Sequence, residues 1–258
     1  MKRIKLAFTA ICLAVGLLLP AAAATATFPD ETLHYVVSYK WGLIHKEAGD
    51  ASVTLRSRGN NYEMTLIGKT RPWADKFYSV RDTLLATVCK AGFRPLRYEK
   101  ITHEKGKYAR DVITYSYHGN VTGGRSLKYR TDRKTGAPTV KETMLTASGA
   151  AFDFLSVFYY LRTIDYSSLA KDRQIVTTVF SGTKSETLTI RYVGEETVKI
   201  RDKSAHKAYH IRFRFTQKGK KKSSDDIDTW ISVAAPHVPL SIVGNLPVGQ
   251  VRCILSSL

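Results

Sequence analysis

The feature that most limits what this chain can fold into is a two-residue alternation of apolar and polar side chains, broken at short intervals by turn residues. Leu33, Tyr35, Val37 and Tyr39 alternate with His34, Val36, Ser38 and Lys40, and Tyr209, Ile211, Phe213 and Phe215 alternate with His210, Arg212, Arg214 and Thr216. Successive side chains of a strand point to opposite faces, so this period makes half-buried strands. Further strands are expected at Ala51–Leu55, Tyr62–Ile67, Thr83–Cys89, Leu96–His103, Tyr108–Tyr117, Ser126–Arg130, Ile175–Phe180, Thr187–Tyr192, Thr197–Arg201, Ile227–Val233, Leu240–Val243 and Gln250–Leu255. Between them stand Arg58-Gly59-Asn60-Asn61, His118-Gly119-Asn120, Ser181-Gly182-Thr183-Lys184, Val193-Gly194-Glu195 and Lys218-Gly219, short connections that make neighbouring strands antiparallel. Roughly a dozen strands exceed what a flat twisted sheet comfortably holds. The expected fold class is all-β: an antiparallel meander curled into a half-open or closed barrel, one domain over residues 27–258.

One segment departs from the alternation. Between Ala150 and Ile164, Phe154, Leu155, Phe158, Leu161 and Arg162 recur at helical spacing after a Ser148-Gly149 start. A helix apolar nearly all round is buried on most of its surface, so residues 150–164 are expected to plug or cap the concave side of the sheet. Asp153 and Arg162 near its ends suit the helix dipole.

The N-terminus reads as a secretory leader: Lys2, Arg3 and Lys5, an uncharged apolar run from Leu6 to Leu19, then Pro20 and small residues ending near Ala24 or Ala26. The run is short for a membrane span, so residues 1–26 are expected to be a cleaved signal peptide and the protein periplasmic, with no transmembrane segment in the mature chain. The formal net charge is +18, and loss of Lys2, Arg3 and Lys5 leaves +15. Outside the cytosol the polyanions such a chain meets are lipid headgroups, lipopolysaccharide phosphates and acidic glycans, and nucleic acid is not expected as a partner. Cys89 and Cys253 remain after processing; they can pair in an oxidising compartment or pack as unpaired thiols in strands.

Three stretches carry a resemblance. They are Leu33-His34-Tyr35-Val36-Val37-Ser38-Tyr39 with Ala48-Gly49-Asp50-Ala51; Gly68-Lys69-Thr70-Arg71 with Phe77-Tyr78-Ser79-Val80-Arg81-Asp82 and Arg94-Pro95-Leu96; and Phe152 to Arg162. With Arg191-Tyr192-Val193-Gly194-Glu195-Glu196, Trp230-Ile231-Ser232, Pro239-Leu240 and Val248-Gly249-Gln250-Val251, the chain resembles the exported bacterial family catalogued as domain of unknown function 3108. The resemblance implies an exported, β-rich meander of Gram-negative envelopes, similar to envelope lipoprotein and carrier folds, and brings no activity, substrate or catalytic residue. In one place the chain departs from the family: after Trp230-Ile231-Ser232 an acidic pair and a basic residue are usual, and here Val233-Ala234-Ala235-Pro236-His237-Val238 fills the space.

Spacings that demand a reaction are lacking. No Gly-x-Ser-x-Gly elbow exists, and His206 and His210, two pleats apart on one strand face, read as an exposed polar ladder in place of a zinc site. Asp225, Asp226 and Asp228 lack the glycine turn and later glutamate of a calcium loop; they are expected to face Lys220, Lys221 and Lys222 across a hairpin whose tip is Lys218 to Lys222. The carboxylates of Glu47, Asp50, Asp82 and Asp111 have no separation that sequence can set. No cofactor and no metal are expected, and the chain reads as a non-enzyme.

The most suggestive constellation is Thr70-Arg71-Pro72-Trp73 with Arg81-Asp82. Pro72 pushes Arg71 into an extended conformation, and Trp73 offers a flat surface of the kind that stacks on sugars or lipid headgroups beside an arginine. Arg81 and Asp82 point to opposite faces, and Arg162 on the buried helix is a candidate mate for an inward Asp82. A buried structural ion pair with a tryptophan closing the barrel end is the competing reading, and Trp230 carries the same ambiguity. Arg71, Trp73, Arg81, Asp82 and Trp230 are thus the candidate ligand-binding residues. The expected function is non-enzymatic binding of an amphipathic or anionic envelope component such as lipid, lipopolysaccharide or glycan, with peripheral envelope contact. The alternatives are a protein scaffold in envelope assembly or, further off, a hydrolase.

Overall fold

The computed structural model describes residues 27–104, 107–131, 135–217, 224–245 and 249–258. The leader expected over residues 1–26 and the lysine-rich tip expected at Lys218 to Lys222 lie outside the described residues. The first half comprises β1 (Glu31–Trp41), β2 (Ile44–Arg58), β3 (Asn61–Thr70), the short helix α1 (Pro72–Asp75), β4 (Val80–Cys89), β5 (Arg94–Glu104), β6 (Lys107–His118), β7 (Val121–Thr131) and β8 (Pro138–Ser148). The second comprises β9 (Ala151–Phe152), α2 (Phe154–Tyr160), β10 (Gln174–Ser181), β11 (Lys184–Lys199), β12 (Ala205–Gln217), β13 (Ile227–Ser232), β14 (Pro239–Asn245) and β15 (Gln250–Leu255).

The strands of the described residues form one 15-stranded sheet in the order β8 to β1, then β15 back to β9. Neighbours in the sheet are neighbours in sequence except at β1–β15, where Tyr35 faces Leu255 and Lys40 faces Gln250 and the two half-meanders join. The expected two-residue reversals form at Gly59-Asn60, Gly119-Asn120 and Gly182-Thr183, each glycine with φ between 53° and 59°.

Curling brings the ends of the sheet together. Ser126 of β7 donates to the carbonyl of Gly182 in the β10–β11 turn at 2.7 Å, and Tyr115 of β6 stacks on Phe180 of β10 with ring centroids 5.6 Å apart. Gly124 is required there, because a Cβ would sit 2.8 Å from the Phe180 ring. The sheet is therefore nearly closed into a barrel. Its seam holds the one parallel pairing among the described residues, Thr178 to Ala151 and Val179 to Phe152, so the meander is not antiparallel throughout.

The helix expected over residues 150–164 is shorter than the apolar run. Ala151–Phe152 is strand, Asp153 is the N-cap, α2 ends at Tyr160 and a 3₁₀ turn covers Leu161–Thr163. Asp153 accepts from the Leu155 and Ser156 N–H groups at 2.9 and 2.8 Å, while its own N–H donates to Ser156 Oγ at 2.9 Å. That reciprocal box stops the helix from starting at Ser148-Gly149, because the two groups it satisfies are those a helix start leaves bare. Leu155, Val157 and Tyr159 are buried against inward residues such as Leu55, Met64 and Val88. Burial of each large apolar side chain contributes roughly 1.5–3 kcal/mol.

A second departure is at Val193-Gly194-Glu195, expected to be a turn. The residues lie inside β11, at a register slip where Gly194 takes φ 149°. The two strands expected at Thr187–Tyr192 and Thr197–Arg201 are one long bent strand. Its distal hairpin turns onto the outer wall: the Arg201 N–H donates to Leu255 O at 2.9 Å, and Ile200 is only 3% exposed. This accounts for the burial of Ser241 and the half-burial of Trp230 and Ile254 on a face that elsewhere meets solvent. Cys89 and Cys253 are both free, and burial pushes the Cys253 thiol up to about 11.

Candidate functional site

The inside and the outside of the barrel offer different chemistry. Arg162, 1% exposed, is the largest of the fully buried side chains. The mate expected for it was Asp82, but its guanidinium is held by Glu31, with Nη2 at 3.1 Å from Oε2 and Nη1 on Oε1. It also donates to the carbonyls of His237 and Pro236 at 3.1 Å and lies 4.8 and 4.9 Å from the rings of Phe28 and Tyr159. Asp82 faces inward lower down, near Lys100 and Glu104. Burial first, and then the Glu104 charge, raise its pKa, and its Oδ1 has no hydrogen-bond partner among the described residues.

On the outer wall a β-bulge assembles the arginine and tryptophan of the candidate set. Val37 pairs with Gly49 but Ser38 with Glu47, so Ala48 is the extra residue. A Cβ at Gly49 would lie 2.7 Å from Lys69 O, which leaves only glycine able to pass there. The bulged Ala48 carbonyl accepts the Arg71 N–H at 2.8 Å. Arg71 is extended before Pro72, φ −80° and ψ 158°, as its sequence requires, and Pro72 opens α1. Its guanidinium grips Asp50 through Nε (3.0 Å) and Nη2 (2.7 Å) and bonds Glu47 through Nη1. These bonds hold Glu47 and Asp50 below the usual carboxylate range, against the opposing effect of burial. Trp73 donates Nε1–H to Glu47 O at 2.7 Å, and Lys46 Nζ sits 4.7 Å over its ring.

Glu47 faces two ways. Its other oxygen receives Arg201 from the folded-over hairpin at 2.7 Å. Between that hairpin and the wall lies a cleft of about 350 Å³ lined by Val36, Ser38, Arg252, Ile254, His45, Lys46, Glu47 and Arg201. Val36 faces Ile254 and Ser38 faces Arg252 across β1–β15, so an apolar pair and a serine–arginine pair sit side by side. Sequence reasoning missed Arg201, Arg252 and Lys46. The only signal was Gly194 within a strand, which marks a bulge as readily as a turn.

The remaining candidates sit elsewhere. Arg81 clamps Asp75 with Nη2 at 2.7 Å, and that contact, with Thr70, lowers the Asp75 pKa to about 2. Trp230 stacks on His210, centroids 4.6 Å apart and planes 15° off parallel, and its Nε1 has no partner among the described residues. His210 is not on an exposed ladder: it is 9% exposed, with Nδ1 2.7 Å from Glu196 and Nε2 2.7 Å from Asp228. Each ring nitrogen thus faces one carboxylate oxygen, which fixes the plane of the imidazole against Trp230. Asp228 also takes Arg212 at 2.7 Å, so it is engaged on its own sheet face, and the lysines expected opposite it lie outside the described residues.

Ser204 Oγ is 2.7 Å from His206 Nε2 but donates to Asp202 at 2.5 Å, so its proton is directed away from the imidazole that would have to take it. Among the described residues no three His, Cys, Asp or Glu side chains are grouped to hold a metal, and no helix is long and apolar enough to cross a membrane.

A family profile described as "Protein of unknown function (DUF3108)" matches residues 34–256. The chain belongs to that family. No curated protein matches the sequence at a significant level. Among solved structures it is similar to a β-barrel-like protein of domain of unknown function DUF1849 from Brucella abortus, with a TM-score of 0.59 and 11% identity over 88% of this chain and 95% of that one. At that identity the likeness concerns the fold, and this DUF3108 chain shares the barrel-like architecture.

Proposed function

We propose that this DUF3108 protein is a non-enzymatic, exported module of the periplasm that holds the anionic headgroup of an amphipathic envelope molecule in the cleft under the β11–β12 hairpin. The observation that carries the reading is the cleft's composition. Val36 and Ile254 supply an apolar strip beside Lys46, Arg201 and Arg252, with Glu47 the one carboxylate among the described lining residues. A pairing of apolar surface with clustered guanidinium groups suits a lipid phosphate or an acidic lipid-linked sugar. Arg71 is saturated by two carboxylates, which gives it the role of fixing Glu47 at the rim. The upper lumen is filled by α2 and its aromatic neighbours, which favours the outer wall over an internal carrier cavity.

Native mass spectrometry of the protein released from its own envelope tests this. Wild type should carry a lipid-sized adduct that Arg201→Gln with Arg252→Gln loses at unchanged melting temperature. Bare polypeptide from wild type, with no thermal shift on adding envelope lipids, sinks the proposal.

A scaffold reading has one observation in its favour. Edge strand β8 carries Val140 and Met144, 58% and 67% exposed, beside an open row of backbone groups, the pattern to which a partner strand adds. Val140→Lys with Met144→Lys would abolish such an association and leave adduct binding intact.

A further inference from the structure

We propose a second anion site, on the outer wall of β10–β12, in which Arg191, Arg212 and Arg214 take a phosphate monoester or diester group. Arg191 and Arg212 are direct cross-strand partners, with Gln174 on the far side of Arg191. Arg214 is one pleat along the same face, opposite Thr189. Like charges placed opposite one another destabilise a sheet, so three guanidinium groups within one pleat of each other call for a counter-charge.

The protein's own carboxylates supply it incompletely. Arg212 has Asp228 at 2.7 Å, but that carboxylate is shared with His210. Asp226 is 3.9 Å from Arg212, and Asp172, 62% exposed, is 3.6 Å from Arg191. Arg214 has no ion pair or hydrogen bond among the described residues.

The three arginines line a recess of about 160 Å³ together with Gln174, Thr189, Phe213 and Asp226. At about 30 Å³ per water, that is room for a tetrahedral oxyanion and a few waters. The planar forks of arginine match two phosphate oxygens at once, and Gln174 and Thr189 add neutral donors. Asp226 is the built-in competitor: an incoming phosphate displaces it from Arg212. The recess is separate from the cleft under the hairpin and shares none of its lining residues.

The full chain is titrated with inorganic phosphate and with glycerol phosphate at constant ionic strength, following the arginine Nε–Hε resonances by nuclear magnetic resonance. Saturable shifts are expected at Arg191, Arg212 and Arg214. Arg191→Gln with Arg214→Gln should weaken binding at least fivefold, Asp226→Asn should tighten it, and Arg252→Gln in the other cleft should leave it unchanged. A parallel flotation with phosphatidylglycerol and phosphatidylcholine vesicles identifies the source: loss of flotation in the Arg191/Arg214 variant means a lipid headgroup, and phosphate binding without flotation means a soluble phosphorylated molecule. Absence of a saturable shift, or an equal response in the Arg191/Arg214 variant, overturns the site. An affinity unchanged in Asp226→Asn overturns the displacement on which it rests.

Discussion

If Arg162 locks the helical plug to the first strand, a double-mutant cycle with Glu31 will show strong coupling. The guanidinium is fully buried, and the Glu31 side chain opposite it is 12% exposed. Arg162→Met keeps most of the aliphatic packing between Phe28 and Tyr159 but leaves a buried carboxylate unpaired and removes the donor to the Pro236 and His237 carbonyls. Removing one partner of a buried pair costs about 3–5 kcal/mol. At roughly 2–4 °C per kcal/mol for a domain of this size, the melting temperature should fall by about 6–20 °C. Glu31→Gln strands the positive charge instead and should cost about 2–4 kcal/mol, because the backbone carbonyls still hold the guanidinium. The double variant should be little worse than Arg162→Met alone, a coupling of about 2 kcal/mol or more. Urea unfolding followed by far-ultraviolet circular dichroism measures all four corners. Additive losses, or two single variants within about 1 kcal/mol of wild type, would mean that apolar packing alone seats the plug.

Burial pushes the Asp153 carboxyl up to about 6, so between pH 4 and pH 6 the folded state keeps a proton that the unfolded state has released, and stability should fall as pH rises through that window. Asp153→Asn keeps a good N-cap and should flatten the slope, gaining on the order of 2 kcal/mol at pH 7; melting temperatures of both proteins from pH 4 to 8 check this, and parallel profiles would refute it. Gly124→Ala places a Cβ 2.8 Å from the Phe180 ring and should cost about 1–3 kcal/mol at the seam, measured by urea unfolding; an unchanged midpoint would mean that the seam gives way freely. Arg71→Lys keeps the charge but loses the two-pronged grip on Asp50, and about 1 kcal/mol of stability should go with it in the same assay.

The strands with one buried face were readable because their alternation is carried by large side chains, as in Tyr209, Ile211 and Phe213. β8 was missed. Thr139 to Glu142 is almost wholly exposed on an edge, so Thr-Val-Lys-Glu has no apolar period to display. Asp153 was legible only as a charge near the end of the helix and not as its N-cap, because the preceding Ala151-Phe152 pairs in parallel with β10, and two residues carry no period at all. Arg71 and Trp73 were found together because Pro72 fixes the backbone between them. Arg201 and Arg252 were not, since they meet only after a bulge at Gly194 bends a hairpin onto strands that are remote in sequence. The mate of Arg162 was misassigned for the same reason: Glu31 precedes it by 131 residues, and only barrel closure brings them together.

The distribution of acids explains why a basic surplus becomes a pattern. The chain has 40 Lys and Arg against 22 Asp and Glu. The carboxylates are placed first where a cation is buried or must be aimed: Glu31 on Arg162, Glu47 and Asp50 on Arg71, Glu99 between Arg97 and Arg110, Asp111 on Arg130. Desolvation makes those pairings the most costly to leave incomplete. On the outer wall of β11 and β12 the sheet's own register sets two guanidinium groups, Arg191 and Arg212, side by side. Net charge alone would speak only to solubility, whereas Arg191 opposite Arg212 imposes geometry on whatever neutralises the pair. An anion that satisfies two forks at once gains more than the diffuse counterions it displaces, and that difference would make the outer wall selective as well as basic.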